Sequence, residues 1–379
     1  MTSPILTREE AEARHVKRDD YVSCTVAFID CKTPGSHLKE NYSIIGPGVT
    51  SSAEQVVNLP EAHGFNIGAA AMPNGITNNL HVHFTAEVFM CFRGDWKFRW
   101  GPKGDDGEIV GHSGDIVSVP TWIFRGFTNV GPDDGWLFTC LGGNNTGGVI
   151  WHPDIIRDAA QYGLYISAEN TLIDTEKGDP KPESDQTIRP LSDADVATMR
   201  RYTPEEMSQR VVTAAERDWK PGFLDHVLDG CGAEMAPVIG SGLTQNRDHA
   251  AKITNPHGFS MEWLRLAPGQ RVSRFRIPEK MVLIAYEGEA DLLLNDSDKV
   301  RLHIDAWDTY SVPGDVWREI VNNGDKPAEL LVIAAGDHRK RPEFAADVVQ
   351  ASRDSGLVID PNGYVASAHL IPEYTFAAE

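Results

Sequence analysis

The sequence predicts a mainly β protein of two related, jelly-roll-like β-barrel domains with linking helices. Three observations predict it: an internal repeat, short strands punctuated by Gly and Pro, and no alternation of strand with helix. The repeat sets His63-Gly64-Phe65 beside His257-Gly258-Phe259, an offset of 194 residues that also places Gly75 on Gly269 and Gly94 on Gly288. Further on the offset becomes 193, matching Pro120 with Pro313, Arg125 with Arg318 and Asn129 with Asn322. One residue lost in a loop explains the slip.

In chain order, residues 1–40 form an N-terminal arm that packs on a barrel or on a second subunit. Residues 41–150 form the first barrel. Its segment LHVHFTAEVFMCF alternates, Arg93-Gly94-Asp95 turns, and WKFRW puts Trp96, Phe98 and Trp100 on one face, which predicts a hairpin. Residues 151–234 link the barrels. TEKGDPKPESDQ reads as polar connection, and DADVATMRRYTPEEMSQRVVTAAER reads as helical with a TPEE cap inside. Residues 235–340 form the second barrel, where VLIAYEGEADLLL repeats the strand-turn-strand pattern, and residues 341–379 hold a short helix, PEFAADVVQASRD, and a tail.

Composition narrows the classes. A chain of 379 residues that is 41% hydrophobic can build two or three cored domains. It has no apolar run approaching the ~20 residues that span a bilayer, and its first residues lack an apolar signal core, so the expected location is cytoplasmic, with no membrane partner. A net charge of −20 disfavours nucleic acid. The five cysteines (Cys24, Cys31, Cys91, Cys140, Cys231) are odd in number and form no CxxC, so buried free thiols are expected rather than disulfides or a zinc site.

The segment that carries chemistry is Gly75-x5-His81-x-His83-x3-Glu87-x6-Gly94. Histidines at i and i+2 of a strand share a face, and Glu87 keeps that parity if the strand continues unbroken. Two imidazoles and a carboxylate make a set for one divalent first-row metal, with positions left for substrate or O2.

This segment resembles the first motif of the cupin superfamily. The second motif is present as Gly114-x5-Pro120-x-Trp122-x2-Arg125-x3-Asn129, with Trp122 at the usual glycine and Arg125 at the usual third histidine. With the repeat, the resemblance implies a bicupin, two double-stranded β-helix barrels. PTWIFRGFTN is further similar to the Pro-x-Trp pattern of gentisate- and salicylate-type ring-cleaving dioxygenases. That resemblance implies Fe(II), O2 and an aromatic acid as substrate. Arginine has no lone pair for a metal, so Arg125 grips a substrate carboxylate or enolate, or pairs with Glu87. Phe89 and Trp122 join Arg125 as expected pocket residues, while Phe84, Phe98, Phe124 and Phe127 read mostly as core.

In the second barrel the register puts Phe275, Ile277 and Met281 at the ligand positions, so that barrel is structural. Arg274, Arg276 and Arg318 leave open a remnant anion pocket. His63 and His257, at matching positions, read as structural. His112 reads as a turn residue and His152 as a neighbour of the site.

Three functions stay open. The first is an Fe(II) dioxygenase acting on a small aromatic or dicarbonyl acid, with His81, His83 and Glu87 as ligands. The second is a non-oxidative metal enzyme (decarboxylase, isomerase, lyase or hydrolase) using Mn, Ni, Zn or Co at the same ligands. The third is a metal-free binding bicupin in which Arg125 pairs with Glu87. A small-molecule partner and a homo-oligomer are expected throughout.

Overall fold

The computed structural model describes residues 3–372. Two compact units emerge: residues 21–216, and residues up to Asp20 together with Arg217 onward.

Within residues 21–216, two sheets enclose one core. One runs Val211–Val212, Ile116–Val119, Glu87–Arg93, Gly135–Gly142, Phe65–Met72, Glu40–Ile45, Val57–Leu59. The other runs Ile150–Trp151, Thr77–Val82, Arg125–Asn129, Trp96–Trp100, Gly107–Gly111. Pairing is antiparallel except between Glu40–Ile45 and Val57–Leu59. The alternation in WKFRW buries Trp96, Phe98 and Trp100 against Phe89, Val117 and Phe127. Each such burial is worth about 1.5–3 kcal/mol.

The turn at Gly94 is a corner rather than the predicted hairpin. Glu87–Arg93 pairs with Ile116–Val119 and Gly135–Gly142, whereas Trp96–Trp100 pairs with Gly107–Gly111 and Arg125–Asn129 in the opposite sheet. Alternation cannot separate the two cases, because strands on facing sheets aim the same residues at one core. Gly94 has φ +94°, and a Cβ there would lie 3.0 Å from Gly135 Cα, so glycine is required at the corner.

The second unit repeats this plan. Its sheets run His15–Val16, Thr309–Val312, Met281–Glu287, Ala328–Ala335, Phe259–Leu266, Glu234–Ile239, Lys220–Pro221, and Val300–Ile304, Ala290–Leu294, Arg318–Val321, Arg271–Arg276, Glu343–Phe344. The arm expected over residues 1–40 divides at Asp20. Residues up to 20 add the edge strand His15–Val16 beside Thr309–Val312. His15 Nε2 lies 2.7 Å from Asp308 Oδ2, and Tyr310 Oη donates to Ala11 O. Residues 21–40 belong to the first barrel's unit.

The expected linker helix is broken into Asp193–Ala197 and Pro204–Ser208, followed by the strand Val211–Val212 beside Ile116–Val119. Thr203 and Glu206 form the predicted capping box. Here the repeat reaches further than the barrels. Thr7-x-Glu9-Glu10-x3-Arg14-x-Val16 recurs as Thr203-x-Glu205-Glu206-x3-Arg210-x-Val212. Thr7 and Glu10 close the same box, and Arg14 and Arg210 donate to Ser311 and Ser118, matching positions of the two barrels. Each copy of this segment precedes one barrel and adds its strand to the sheet of the other.

The C-terminal helix is Ala346–Asp354. The end of the predicted tail, residues 373–379, lies outside the described residues. All five cysteines are buried and free. No helix among the described residues is long and apolar enough to cross a membrane.

Candidate metal centre

His81, His83 and Glu87 converge although the strand does not continue unbroken. His81 lies in Thr77–Val82, His83 just beyond its end, and Glu87 opens the strand Glu87–Arg93 of the facing sheet. The chain crosses between sheets over Phe84, Thr85 and Ala86, so the histidines and the carboxylate approach the cavity from two walls. All three are at most 4% exposed, and their candidate ligand atoms lie within 4.8 Å of one another. Ligands at ~2.0–2.2 Å from a first-row ion are separated by roughly 3–4.4 Å, so the cluster fits one ion with little adjustment.

Each ligand is held from behind. His81 Nδ1 donates to Asn79 O at 2.6 Å, which keeps the proton on that nitrogen and leaves Nε2 with a lone pair. Arg125 places Nε and Nη2 on one oxygen of Glu87, Oε2, at 3.0 and 2.8 Å. The other oxygen, Oε1, lies 3.4 Å from His83 Nε2. The ion pair weighed from the sequence therefore exists, yet it occupies only the far side of the carboxylate. His83 Nδ1 is buried and makes no hydrogen bond within normal limits, although the Gly148 backbone favours its protonated form.

Protonation states agree with ligation. Burial, and then Arg125, hold His81 and His83 below the usual histidine range, so both are neutral. Burial opposes ionisation of Glu87, but His83 and Arg125 outweigh it and hold the carboxyl well below its usual range. Two neutral imidazoles, one carboxylate and one guanidinium leave the cluster with no net charge. Metal ligands need these deprotonated forms.

The cluster faces a cavity with about 40 Å³ of space for water-sized groups. Its walls are mostly apolar (Phe28, Val49, Ala69, Ala70, Phe127, Leu141, Val149, Trp151), with Lys39, Asn41, Asn78 and Thr139 as polar groups beyond the cluster. Trp151 pairs in register with His81, their rings 5.5 Å apart.

Of the expected pocket residues, neither Phe89, Trp122 nor Arg125 lines this cavity. Phe89 is fully buried in the barrel core against Phe98 and Phe127. Arg125 sits behind Glu87, with Nε and Nη2 both on Oε2. Trp122 is 43% exposed and packs on Phe84. It adopts φ +61°, and its repeat partner Asp315 adopts φ +60°. The left-handed conformation explains why the motif favours glycine there; a bulky residue costs about 1–2 kcal/mol in it. Lys39, Phe28 and Trp151 were not found from the sequence. Lys39 and Phe28 lie in the arm, outside the repeat and both motifs.

The second barrel keeps the frame without the chemistry. Arg318 pairs in register with Phe275 as Arg125 does with His81. Phe275, Ile277 and Met281 fill the ligand positions as core. Arg318 is fully buried, makes no ion pair among the described residues, and donates to Val316 O and Pro313 O. Burial lowers its pKa to about 9. Of the arginines considered for an anion pocket, Arg274 pairs with Asp296 and Asp347, and Arg276 with Glu343.

The other histidines singled out in the sequence are bonded elsewhere. His63 and His257 each place Nδ1 2.6 Å from a carbonyl two residues back, Glu61 O and Asn255 O. His112 meets Asp95 on the surface, and His152 caps the helix Pro153–Ala160. A second His-carboxylate cluster, Glu289, His303 and Asp305, is exposed, and His303 is already bonded to Asp291.

Searched by sequence, the chain matches no protein-family model and no curated protein. By structure it is similar to an oxalate decarboxylase from Lactobacillus farciminis in complex with formate, with TM-score 0.55 and 11% identity over 93% of this chain and 91% of that one. A mutant oxalate decarboxylase from Bacillus subtilis gives TM-score 0.54 and 14% identity over 93% and 84%. At these identities the likeness establishes the fold: a bicupin.

Proposed function

We propose that this protein is a metal-dependent enzyme that transforms a small carboxylic acid without consuming O2, as a decarboxylase or lyase does. The observation that carries the reading is the mostly apolar cavity in which buried His81, His83 and Glu87 meet. The donor set suits Fe, Mn, Ni or Zn. The ion would be held by His81, His83 and Glu87, and when bound it supplies Lewis-acid polarisation of substrate oxygens.

The chain's own groups do the rest. The Asn79 carbonyl fixes the His81 ring, Arg125 keeps Glu87 ionised, and residues from Phe28 to Trp151 give the cavity a mostly apolar wall. Because the protein cluster is neutral, a divalent ion leaves two positive charges in a mostly apolar site, which an anionic substrate offsets. The cavity holds only a few water-sized groups, so a compact acid suits it better than an aromatic ring. The shared fold with oxalate decarboxylases supports the same direction. The first reading of the sequence, a dioxygenase of an aromatic or dicarbonyl acid, has less support, because Arg125, Phe89 and Trp122 are absent from the cavity lining and the similar structures are decarboxylases.

The test is simultaneous measurement of O2 and CO2 with metal-loaded protein and small acids such as oxalate and malonate. CO2 release without O2 uptake supports the proposal. Turnover with one O2 consumed per substrate would restore the dioxygenase.

A further inference from the structure

We propose that Lys39 is the substrate anchor of this cavity, selecting a compact acid that sends one carboxylate to the Lys39 ammonium and another oxygen toward the metal ligands. The inference rests on the metal-enzyme reading and deepens it. Lys39 is 4% exposed, yet it lines the same cavity as His81, His83 and Glu87. Its Nζ donates to Asp30 Oδ1 at 2.7 Å and to Asn78 Oδ1 at 2.5 Å, and it lies 5.1 Å from the centre of the Phe28 ring. An ammonium has three N–H donors. Two are spent on these partners, and one remains for the cavity.

The mount is rigid. Asp30, fully buried, also accepts from Ser36 Oγ and Asn79 Nδ2, so the ammonium cannot swing away without breaking a network. Asn79 is the residue whose carbonyl fixes His81, and Asn78 borders His81 as well. One short stretch, Asn78-Asn79, therefore ties the cation to the ligand set. The other cavity-lining residues outside the cluster carry no charge, which makes Lys39 the group that distinguishes an anion from a neutral isostere. A merely structural Lys39 would pin the arm to the barrel and show no preference for substrate charge.

The experiment loads wild-type protein and Lys39→Met with manganese and titrates each with oxalate and with oxamide, its neutral diamide. The anchor predicts unchanged metal content, oxalate binding weakened by at least about tenfold, and oxamide binding altered less than about twofold. Metal-loaded Lys39→Met that binds oxalate as tightly as wild type would overturn the anchor alone. Absence of metal from the wild-type protein would overturn the metal reading and the anchor with it. Should Lys39→Met not fold, a crystal structure of manganese-loaded wild type with oxalate decides: a carboxylate within hydrogen-bond distance of Lys39 Nζ supports the proposal, and oxalate placed away from it refutes it.

Discussion

Arg125→Met separates the two roles of Glu87. In the metal-free protein the substitution leaves a fully buried carboxylate without its guanidinium, whose two bonds to Oε2 are 3.0 and 2.8 Å. Breaking a buried pair from one side costs about 3–5 kcal/mol. For a unit of this size each kcal/mol shifts Tm by about 2–4 °C, so the melting point should fall by about 6–20 °C. A divalent ion on Oε1 supplies the missing positive charge. Metal should therefore stabilise the variant more than it stabilises wild type, and the gap should close by about half or more. Differential scanning fluorimetry with chelator, and again with about 1 mM manganese chloride, measures both gaps. A gap of the same size with and without metal would refute the idea that ion and arginine share one carboxylate.

Two further predictions concern the second unit. Glu262 is fully buried, accepts from Leu243 N through Oε1, leaves Oε2 unpaired, and has its carboxyl pushed up by burial to about 8. Between the ordinary value of 4.5 and about 8 the unfolded chain releases a proton that the folded chain retains, so this group's contribution to stability falls as pH rises. Glu262→Gln removes the dependence. Its stability relative to wild type should rise by roughly 3 kcal/mol from pH 5 to pH 8 in urea titrations, and a pH-independent difference would contradict the assignment. Asp308 binds His15 Nε2 and the Arg18 backbone N–H, at 2.7 and 2.8 Å. Asp308→Ala should cost about 1.5–3 kcal/mol and expose the bonds after Arg14, Lys17 and Arg18 to trypsin; cleavage no faster than in wild type would show that the strand His15–Val16 is held by other contacts.

The repeat made the two-barrel architecture legible, because glycines with positive φ and core positions recur at fixed intervals in both copies. The clustering of His81, His83 and Glu87 was legible for a narrower reason: His81-x-His83-x3-Glu87 lies within seven residues, so local spacing placed all three near one another. Its geometry was not, since the crossing between sheets over Phe84–Ala86 looks like continuous strand in an alternating sequence. The role of Arg125 was read as one of two, and only the structure shows both nitrogens on Oε2. Lys39 was invisible because its meaning depends on contacts with Asp30 and Asn78, and the latter lies 39 residues away along the chain. The exchange of the segments ending at Val16 and Val212 had a signal, the recurring Thr-x-Glu-Glu-x3-Arg-x-Val, but it was masked by reading one copy as an arm and the other as a helix.

The most direct test of the central claim is metal content, measured by elemental analysis of protein purified anaerobically without chelators, with His81→Ala beside it. The account predicts near one divalent ion per wild-type chain and little in His81→Ala, which should still fold. A wild-type protein that takes up no ion even after reconstitution would contradict it, and the Arg125–Glu87 pair would then stand as a structural feature of a binding protein.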